Sequence, residues 1–257
     1  MRPLDGLHAL ITGGGSGIGA AIARALDGAG AKVSIAGRHK ARLDEVGARL
    51  KRGAVVVADI TRGGECESMV KSAREAHGPI DILVANAGIA ESTSFARIDR
   101  GHWQRMVDVN LTGTFLSAQA ALPDLIREGA KDRPRRMIFV ASTAALKGYS
   151  YVAAYCAAKH GVLGLARALA VEFATTGMTV NAVCPGFTDT PLLDASVATI
   201  TAKTKRSSEE ARAQLARENA HQRLVKPEEV ADTVLWLSSP GAASVNGQAI
   251  AIAGGQV

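Results

Sequence analysis

Leu7-His8-Ala9-Leu10-Ile11-Thr12-Gly13-Gly14-Gly15-Ser16-Gly17-Ile18-Gly19, followed by a helical run over residues 20–26, is the stretch that decides the fold. An apolar strand, a glycine turn and a helix in that order gather backbone N–H groups at a helix N-terminus, where they can bind a pyrophosphate. The early glycines permit the tight turn and the close approach of the phosphates, and Gly19 is expected to let helix and strand pack closely. The spacing is Thr-Gly-x-x-x-Gly-x-Gly and not a literal G-x-G-x-x-G, since Ile18 stands where the last glycine would fall. The strand before and the helix after make a purely structural turn the weaker reading.

Outward from this loop, short apolar, β-branched runs alternate with longer amphipathic segments. Candidate strands cover residues 9–12, 32–36, 54–58, 82–85, 136–141, 178–183 and 248–252. That alternation predicts an α/β fold, a parallel sheet with helices on both faces. No repeat, low-complexity tract or linker divides residues 1–257, so one domain is expected. Residues 127–136 form a polar, basic connection, and residues 194–222 a Ser/Thr- and charge-rich helical insertion. Ligands of such sheets sit at the carboxyl ends of the strands, which makes 194–222 the candidate substrate lid.

The chain carries a net charge of +6. Such an excess favours acidic ligands, and Lys131, Arg133, Arg135 and Arg136 form one local basic cluster, with Lys203, Lys205 and Arg206 a second. Solvated loops that bind nothing are the competing reading. An aromatic content of 4% and the absence of a recognition motif argue against nucleic acid as a partner. The N-terminus offers no secretory signal and the apolar stretches are broken before membrane-spanning length, so a cytoplasmic protein with no membrane partner is expected. Cys66, Cys156 and Cys184 lack metal-ligand spacing and read as reduced, packed thiols, with no metal expected.

Tyr155-Cys156-Ala157-Ala158-Lys159 and Ser142, thirteen residues upstream of Tyr155, supply the candidate chemistry. A helix brings Tyr155 and Lys159 onto one face, where the ammonium is expected to lower the phenol's pKa from about 10 and make it a proton donor near neutral pH. The Ser142 hydroxyl would give the same substrate oxygen a second hydrogen bond, as polarising a carbonyl requires. A Tyr-x-x-x-Lys pair arises by chance on many helical surfaces, so its weight comes from the rest of the chain.

With Asn86-Ala87-Gly88, Asn110 and Pro185-Gly186 added to these blocks, the chain from about residue 4 to residue 257 resembles the short-chain dehydrogenase/reductase family. The resemblance implies a doubly wound Rossmann fold with seven parallel strands. It also implies hydride exchange between nicotinamide C4 and a carbonyl carbon, with proton transfer at oxygen. Asn110, Ser142, Tyr155 and Lys159 would form a catalytic tetrad. Tyr155 would act as acid in reduction and base in oxidation, Ser142 would orient the substrate oxygen, and Lys159 would bond the nicotinamide ribose. Asn110 would anchor a water linking Lys159 to solvent. Thr143 adjoins Ser142, but the thirteen-residue spacing to Tyr155 favours Ser142.

The implied cofactor-binding set is Thr12, Gly13, Gly15, Ser16, Gly17, Ile18, Gly19, Arg38, Asp59, Ile60, Asn86, Ala87, Gly88, Tyr155, Lys159, Pro185, Gly186, Thr188 and Thr190. Asn86 would lie near the ribose, Asp59 at the adenine amino group, and Thr188 and Thr190 at the carboxamide. A turn or cap role for Asp59 is equally compatible with the sequence. Ala85 departs from the second Asn that many members carry there, a mild change.

Cofactor choice is written at the end of the second strand. NAD-binding units place an acid there for the ribose 2′-OH, whereas this chain has Gly37-Arg38, and a guanidinium suits a 2′-phosphate. NADP(H) is therefore favoured, while Ser16, where some relatives carry a second basic residue, leaves NAD(H) open.

The runs over residues 180–187 and 247–255 resemble β-ketoacyl-thioester reductases, aromatic polyketide ketoreductases and 3-hydroxyacyl-CoA dehydrogenases within the family. The expected activity is interconversion of a ketone and a secondary alcohol on a 3-oxoacyl or 3-hydroxyacyl thioester, bound to CoA or a carrier protein. A dehydrogenase of a small non-thioester alcohol, such as 3-hydroxybutyrate, a cyclic alcohol, a steroid or a sugar, is the alternative. A catalytically silent nucleotide sensor on the same fold is a third reading, opposed by the presence of both Tyr155 and Lys159. The segments 103–127 and 152–174 are apolar around much of their circumference. By resemblance they would pair across a two-fold axis, with the strand near 249–252 as a second contact, in a homotetramer of D2 symmetry.

Overall fold

A computed structural model describes residues 2–128 and 133–257. Seven strands, β1 (His8–Thr12), β2 (Lys32–Gly37), β3 (Gly53–Val57), β4 (Ile82–Ala85), β5 (Arg135–Val140), β6 (Met178–Pro185) and β7 (Ala249–Ile252), form one sheet in the order β3-β2-β1-β4-β5-β6-β7. Every neighbouring pair is parallel. The chain reverses its direction of travel across the sheet between β1 and β4, and that switch point opens a crevice at the strands' carboxyl ends.

Alternate residues of the strands feed two separate cores. Ile11, Ile35, Val84 and Ile138 pack against Ile22 and Leu26 of α1 (Gly17–Gly28), Leu43 of α2 (Lys40–Gly47) and Val230, Val234 and Leu237 of α9 (Pro227–Ser238). Leu10, Leu83, Met137 and Phe139 face the other way. There they meet Met69 of α3 (Gly63–His77), Ala121 of α5 (Gly113–Leu125) and Val162 and Ala166 of α6 (Ala153–Glu172). Burial on both faces explains why the strands read as continuous apolar runs.

The strand ends differ from those expected where tertiary partners decide them. β6 continues past Val183 to Pro185 because β7 pairs there, Cys184 with Ala251 and Pro185 with Ile252. β5 begins at Arg135, and Arg135 and Arg136 are both buried in it. Arg136 donates to the carbonyls of Leu237 at 3.1 Å and Ser239 at 3.2 Å, capping the carboxyl end of α9. Arg135 donates to the carbonyls of Arg127 at 2.7 Å and Thr176 at 3.2 Å. Arg133 pairs with the buried Asp81 at 3.1 Å. The three described members of the first basic cluster, Arg133, Arg135 and Arg136, thus make structural bonds near the amino ends of the strands and do not line the crevice, and Lys131 lies outside the described residues.

The segment expected as a lid holds two helices. α7 (Pro191–Lys203) begins before residue 194 because Thr190 caps it, its hydroxyl accepting from the Leu193 N–H at 3.4 Å. α8 (Ser208–Arg217) opens with a capping box between Ser207 and Glu210. The segment also has an apolar face that its composition hid. Leu193, Val197, Ala211 and Leu215 are buried together against Phe187, Ile200 and Leu224, and Arg212 pairs with both Asp189 and Asp194.

Candidate active site

The glycine turn is a cradle in which side chains would not fit. Gly13 and Gly17 have φ of 67° and 51°, a left-handed backbone that L side chains avoid. A Cβ on Gly19 would overlap the Gly13 carbonyl oxygen, and one on Gly13 would lie 2.8 Å from the Ala87 Cα. Thr12 and Asn86 fasten this turn to the end of β4. The Thr12 hydroxyl accepts from the N–H groups of Asn86 at 3.0 Å and Ala87 at 3.1 Å. The Asn86 amide donates to the carbonyls of Thr12 at 2.9 Å and Gly13 at 3.2 Å. The Asn86 side-chain N–H groups, expected near a ribose, are thus spent on holding the loop. Ser16 stands at the N-terminus of α1 without a side-chain bond to it, and Ile18 lines the crevice close by.

Arg38 and Asp59 line the same crevice, and so does Arg42, which sequence reasoning missed. The first turn of α2 carries Arg42 back beneath the loop, 3.3 Å from where a Gly15 Cβ would lie. A basic residue at the third position past His39 was the available signal, but only the helix direction shows where it points. Burial pushes the Asp59 carboxyl up, yet two hydrogen bonds from Thr61 and the Arg38 and Arg62 guanidiniums hold it below the usual range. Asp59 therefore combines a turn role, accepting from the Thr61 N–H at 3.0 Å, with a place on the crevice wall beside Ile60.

At the other end of the crevice the Ser142 hydroxyl stands beside the Tyr155 phenol, near enough to favour its ionised form. It also accepts from the Ala144 N–H at 3.1 Å. The Lys159 ammonium lies 5.7 Å from the Tyr155 ring centroid and donates to the Val140 carbonyl at 2.9 Å. The three side chains come together as their spacing predicts, but the electrostatics correct the expected sign. Burial pushes the Tyr155 phenol up to about 12, opposed by the Ser142 hydroxyl, and pushes Lys159 down to about 8. Lys159 is buried and Tyr155 half-buried, and the lost hydration outweighs an ammonium held against the ring face and tethered to Val140.

Asn110 sits in a π-helical turn, Asp108–Thr112, between α4 (Arg100–Val107) and α5. Such one-turn bulges often mark functional positions. Its side chain is buried and engaged, donating to the carbonyls of Ile89 at 2.9 Å and Met106 at 3.0 Å and accepting from the Ile89 N–H at 3.2 Å. These bonds make Asn110 a clamp on the chain after β4. A Cβ on Gly88 would lie 2.8 Å from its Oδ1 and 3.6 Å from the Lys159 Nζ, so the absence of a side chain there lets both approach.

Thr143 has a partner that the sequence did not disclose: the Tyr149 phenol donates to its hydroxyl at 2.7 Å. Pro185, Gly186, Thr188 and Thr190 close the crevice opposite the glycine loop, with the Thr188 hydroxyl donating to the Gly186 carbonyl at 2.9 Å. Thr190 lies 3.1 Å from where a Gly17 Cβ would be. From α7 and the residues after it, Leu192, Ser196, Ile200, Lys203 and Arg206 line the crevice. Lys203 reaches the Ser92 carbonyl at 3.5 Å and Arg206 bonds Gln214, whereas Lys205 is not on the crevice wall. Cys156 and Cys184 are buried, and burial pushes the Cys184 thiol up to about 11, which makes it a poor nucleophile. Among the described residues no cluster of metal-ligating side chains occurs.

The crevice encloses about 1280 Å³, more than a drug-sized ligand needs. A dinucleotide fits the residues present. Backbone N–H groups at the start of α1 and the forbidden Cβ positions suit a diphosphate, and Arg38 and Arg42 flank the place where an acid would repel a 2′-phosphate.

Comparisons with known proteins agree with this geometry. The family model described as short chain dehydrogenase matches residues 7–201. The D-beta-hydroxybutyrate dehydrogenase of Cupriavidus necator is 36% identical over 261 residues, covering 99% of each chain. A solved actinorhodin polyketide ketoreductase variant with NADPH superposes with a TM-score of 0.92 at 35% identity, over 100% of this chain and 99% of that one. The 3-ketoacyl-(acyl-carrier-protein) reductase from Brucella melitensis, complexed with NADH, gives a TM-score of 0.88 at 32% identity, over 98% and 99%.

Proposed function

This chain belongs to the short-chain dehydrogenase family and is an NAD(P)-dependent oxidoreductase of ketones and secondary alcohols; on that premise we propose that it uses NADP(H) to reduce a 3-oxoacyl thioester. The observation that carries the reading is Ser142 and Tyr155 together on the crevice wall, with the Lys159 ammonium 5.7 Å from the Tyr155 ring. When bound, the dinucleotide supplies hydride transfer at nicotinamide C4. Ser142 and Tyr155 hold the substrate oxygen, and the Tyr155 phenol donates the proton. A phenol near 12 is fully protonated at neutral pH, which suits it to the reductive direction. Lys159 steadies the phenolate left behind. Asn110 acts at one remove, fixing the backbone at Ile89 so that Gly88 stays beside Lys159.

Arg38 and Arg42 support NADP(H), since two guanidiniums complement a 2′-phosphate. The thioester is supported by cations at the crevice mouth, Lys203 and Arg206 from the lid and Arg97 from the chain after β4, which could take a phosphate-bearing arm. The same Lys203 favours a second reading, a small 3-oxo acid whose carboxylate it would meet. We take the segment 194–222 as a lid that closes over substrate. We also take the protein as cytoplasmic, no helix of the described residues being long and apolar enough to cross a membrane. Exposed Trp103, Phe115 and Val171, on α4, α5 and α6, support a homotetramer.

A substrate panel tests the function. NADPH consumption, followed by absorbance, should be fastest with acetoacetyl thioesters and slower with free acetoacetate, cyclic ketones and sugars. Turnover of free acetoacetate above every thioester would sink the thioester reading and establish the second.

A further inference from the structure

Ser142 and Thr143 are consecutive, yet each meets a different phenol: Ser142 stands beside Tyr155, and Thr143 accepts from Tyr149 at 2.7 Å. Both pairs line the same crevice. Tyr149 has no part in the proton transfer, but it is held as firmly as a group that does. Its ring stands edge-on to Phe187 with centroids 5.9 Å apart, and the Lys147 ammonium lies 5.1 Å from its centroid. The backbone that carries Phe187 is itself held, because the buried Asn219 accepts from its N–H at 3.0 Å and donates to its carbonyl at 2.9 Å. A preset hydroxyl beside a reaction centre suits recognition, since its rotamer is settled before the ligand arrives.

We propose that Tyr149 is a specificity-determining residue, its phenol donating to a second oxygen of the substrate, so that the enzyme selects ketones bearing a carbonyl beside the reacting one over simple ketones. The inference rests on Tyr155 as proton donor and deepens the reading of the substrate as a 1,3-dicarbonyl compound. The Thr143–Tyr149 pair can make this contact without losing its own bond. Both groups are hydroxyls, so when the phenol turns its proton to the substrate, the Thr143 hydroxyl can donate to the phenol oxygen. A simple ketone offers nothing at that position. A site built to hydrogen-bond an oxygen discriminates strongly against the analogue that lacks it.

The test uses ethyl 3-oxobutanoate against heptan-2-one, the same chain without the ester oxygens, so that no thioester or charged handle is involved. The wild type should favour the ester in kcat/KM by at least about tenfold, the loss expected for one hydrogen bond. Tyr149→Phe keeps the ring and its packing on Phe187. It should remove most of that preference, through a raised KM for the ester, while heptan-2-one changes less than about twofold. A wild-type ratio near one overturns the proposal whether or not the variant folds, and so does an equal loss on both substrates in the variant. If thioesters are not reduced but the ester preference vanishes with Tyr149→Phe, the thioester reading falls and this inference stands. If thioesters are reduced and Tyr149→Phe leaves the preference intact, the inference falls and that reading stands.

Discussion

Lys159 donates to the Val140 carbonyl at 2.9 Å while its ammonium lies 5.7 Å from the centre of the Tyr155 ring, so one cation is tethered to β5 and held against the phenol. Burial separates what these two groups do. The phenol keeps its proton well past neutrality, and the ammonium holds its own only weakly.

Removing the phenol hydroxyl should therefore remove the proton donor and little else. Tyr155→Phe is expected to lower kcat by at least about a hundredfold, the lower end of acid–base contributions, while NADPH titrated by fluorescence binds nearly as before. A fully active variant would refute the assignment.

Reductive turnover should also depend on the charge of Lys159. With its pKa near 8, the cation is present below that pH and lost above it, so kcat should fall as pH rises through about 8. Lys159→Met should be slow throughout and lack this alkaline limb. A wild-type profile flat from pH 7 to pH 9.5 would count against the cation's role.

Cofactor preference should be divided between two guanidiniums. Arg38→Ala and Arg42→Ala are each expected to weaken NADPH binding by roughly 1.5–3 kcal/mol, the range for a charge-assisted hydrogen bond, and to leave NADH nearly unchanged. Gly37→Asp should shift preference toward NADH. Direct titration in which the wild type already prefers NADH would overturn the reading of both arginines.

His8 gives the fold a sensitivity to acid. It is buried in β1, its ring bonded to the Gly78 carbonyl and the Ser34 hydroxyl, each at 2.8 Å, and edge-on to His77. Burial lowers its pKa from 6.5 to about 4, so between those values the unfolded chain binds a proton that the folded chain refuses. Stability tied to neutral His8 is complete above about pH 6.5 and declines as pH falls toward 4, a loss of about 3 kcal/mol. Denaturation midpoints at pH 7.5 and 4.5 should differ less in His8→Gln than in wild type. An unchanged difference would show that other groups carry the effect.

The charges of Lys203 and Arg206 should act on encounter more than on chemistry. Reversing Lys203 and Arg206 to Glu should raise KM for a CoA or carrier-protein thioester and weaken the salt dependence of kcat/KM, with turnover of a small neutral ketone unchanged. Equal loss on charged and neutral substrates would mark the pair as structural. Lys205, away from the crevice wall, serves as the control, and its reversal should change little.

The sequence by itself determined the doubly wound sheet, the cradle from Thr12 to Gly19 and the meeting of Ser142, Tyr155 and Lys159. Those are local matters: a glycine turn needs left-handed backbone at fixed positions, and a helix sets the spacing of Tyr155 and Lys159. Tertiary structure alone decided which charges were spent elsewhere. Arg135 and Arg136 look like a solvated cluster until β5 and α9 bury them among carbonyls, and only the fold gives the Asn86 amide its bonds to the glycine turn and the Asn110 amide its bonds to the Ile89 backbone. It also paired Thr143 with Tyr149 and turned Arg42 into the crevice. Burial reversed the sign expected for the Tyr155 phenol. A side chain's partner and its access to water depend on residues distant in the chain, and neither is written in its neighbours.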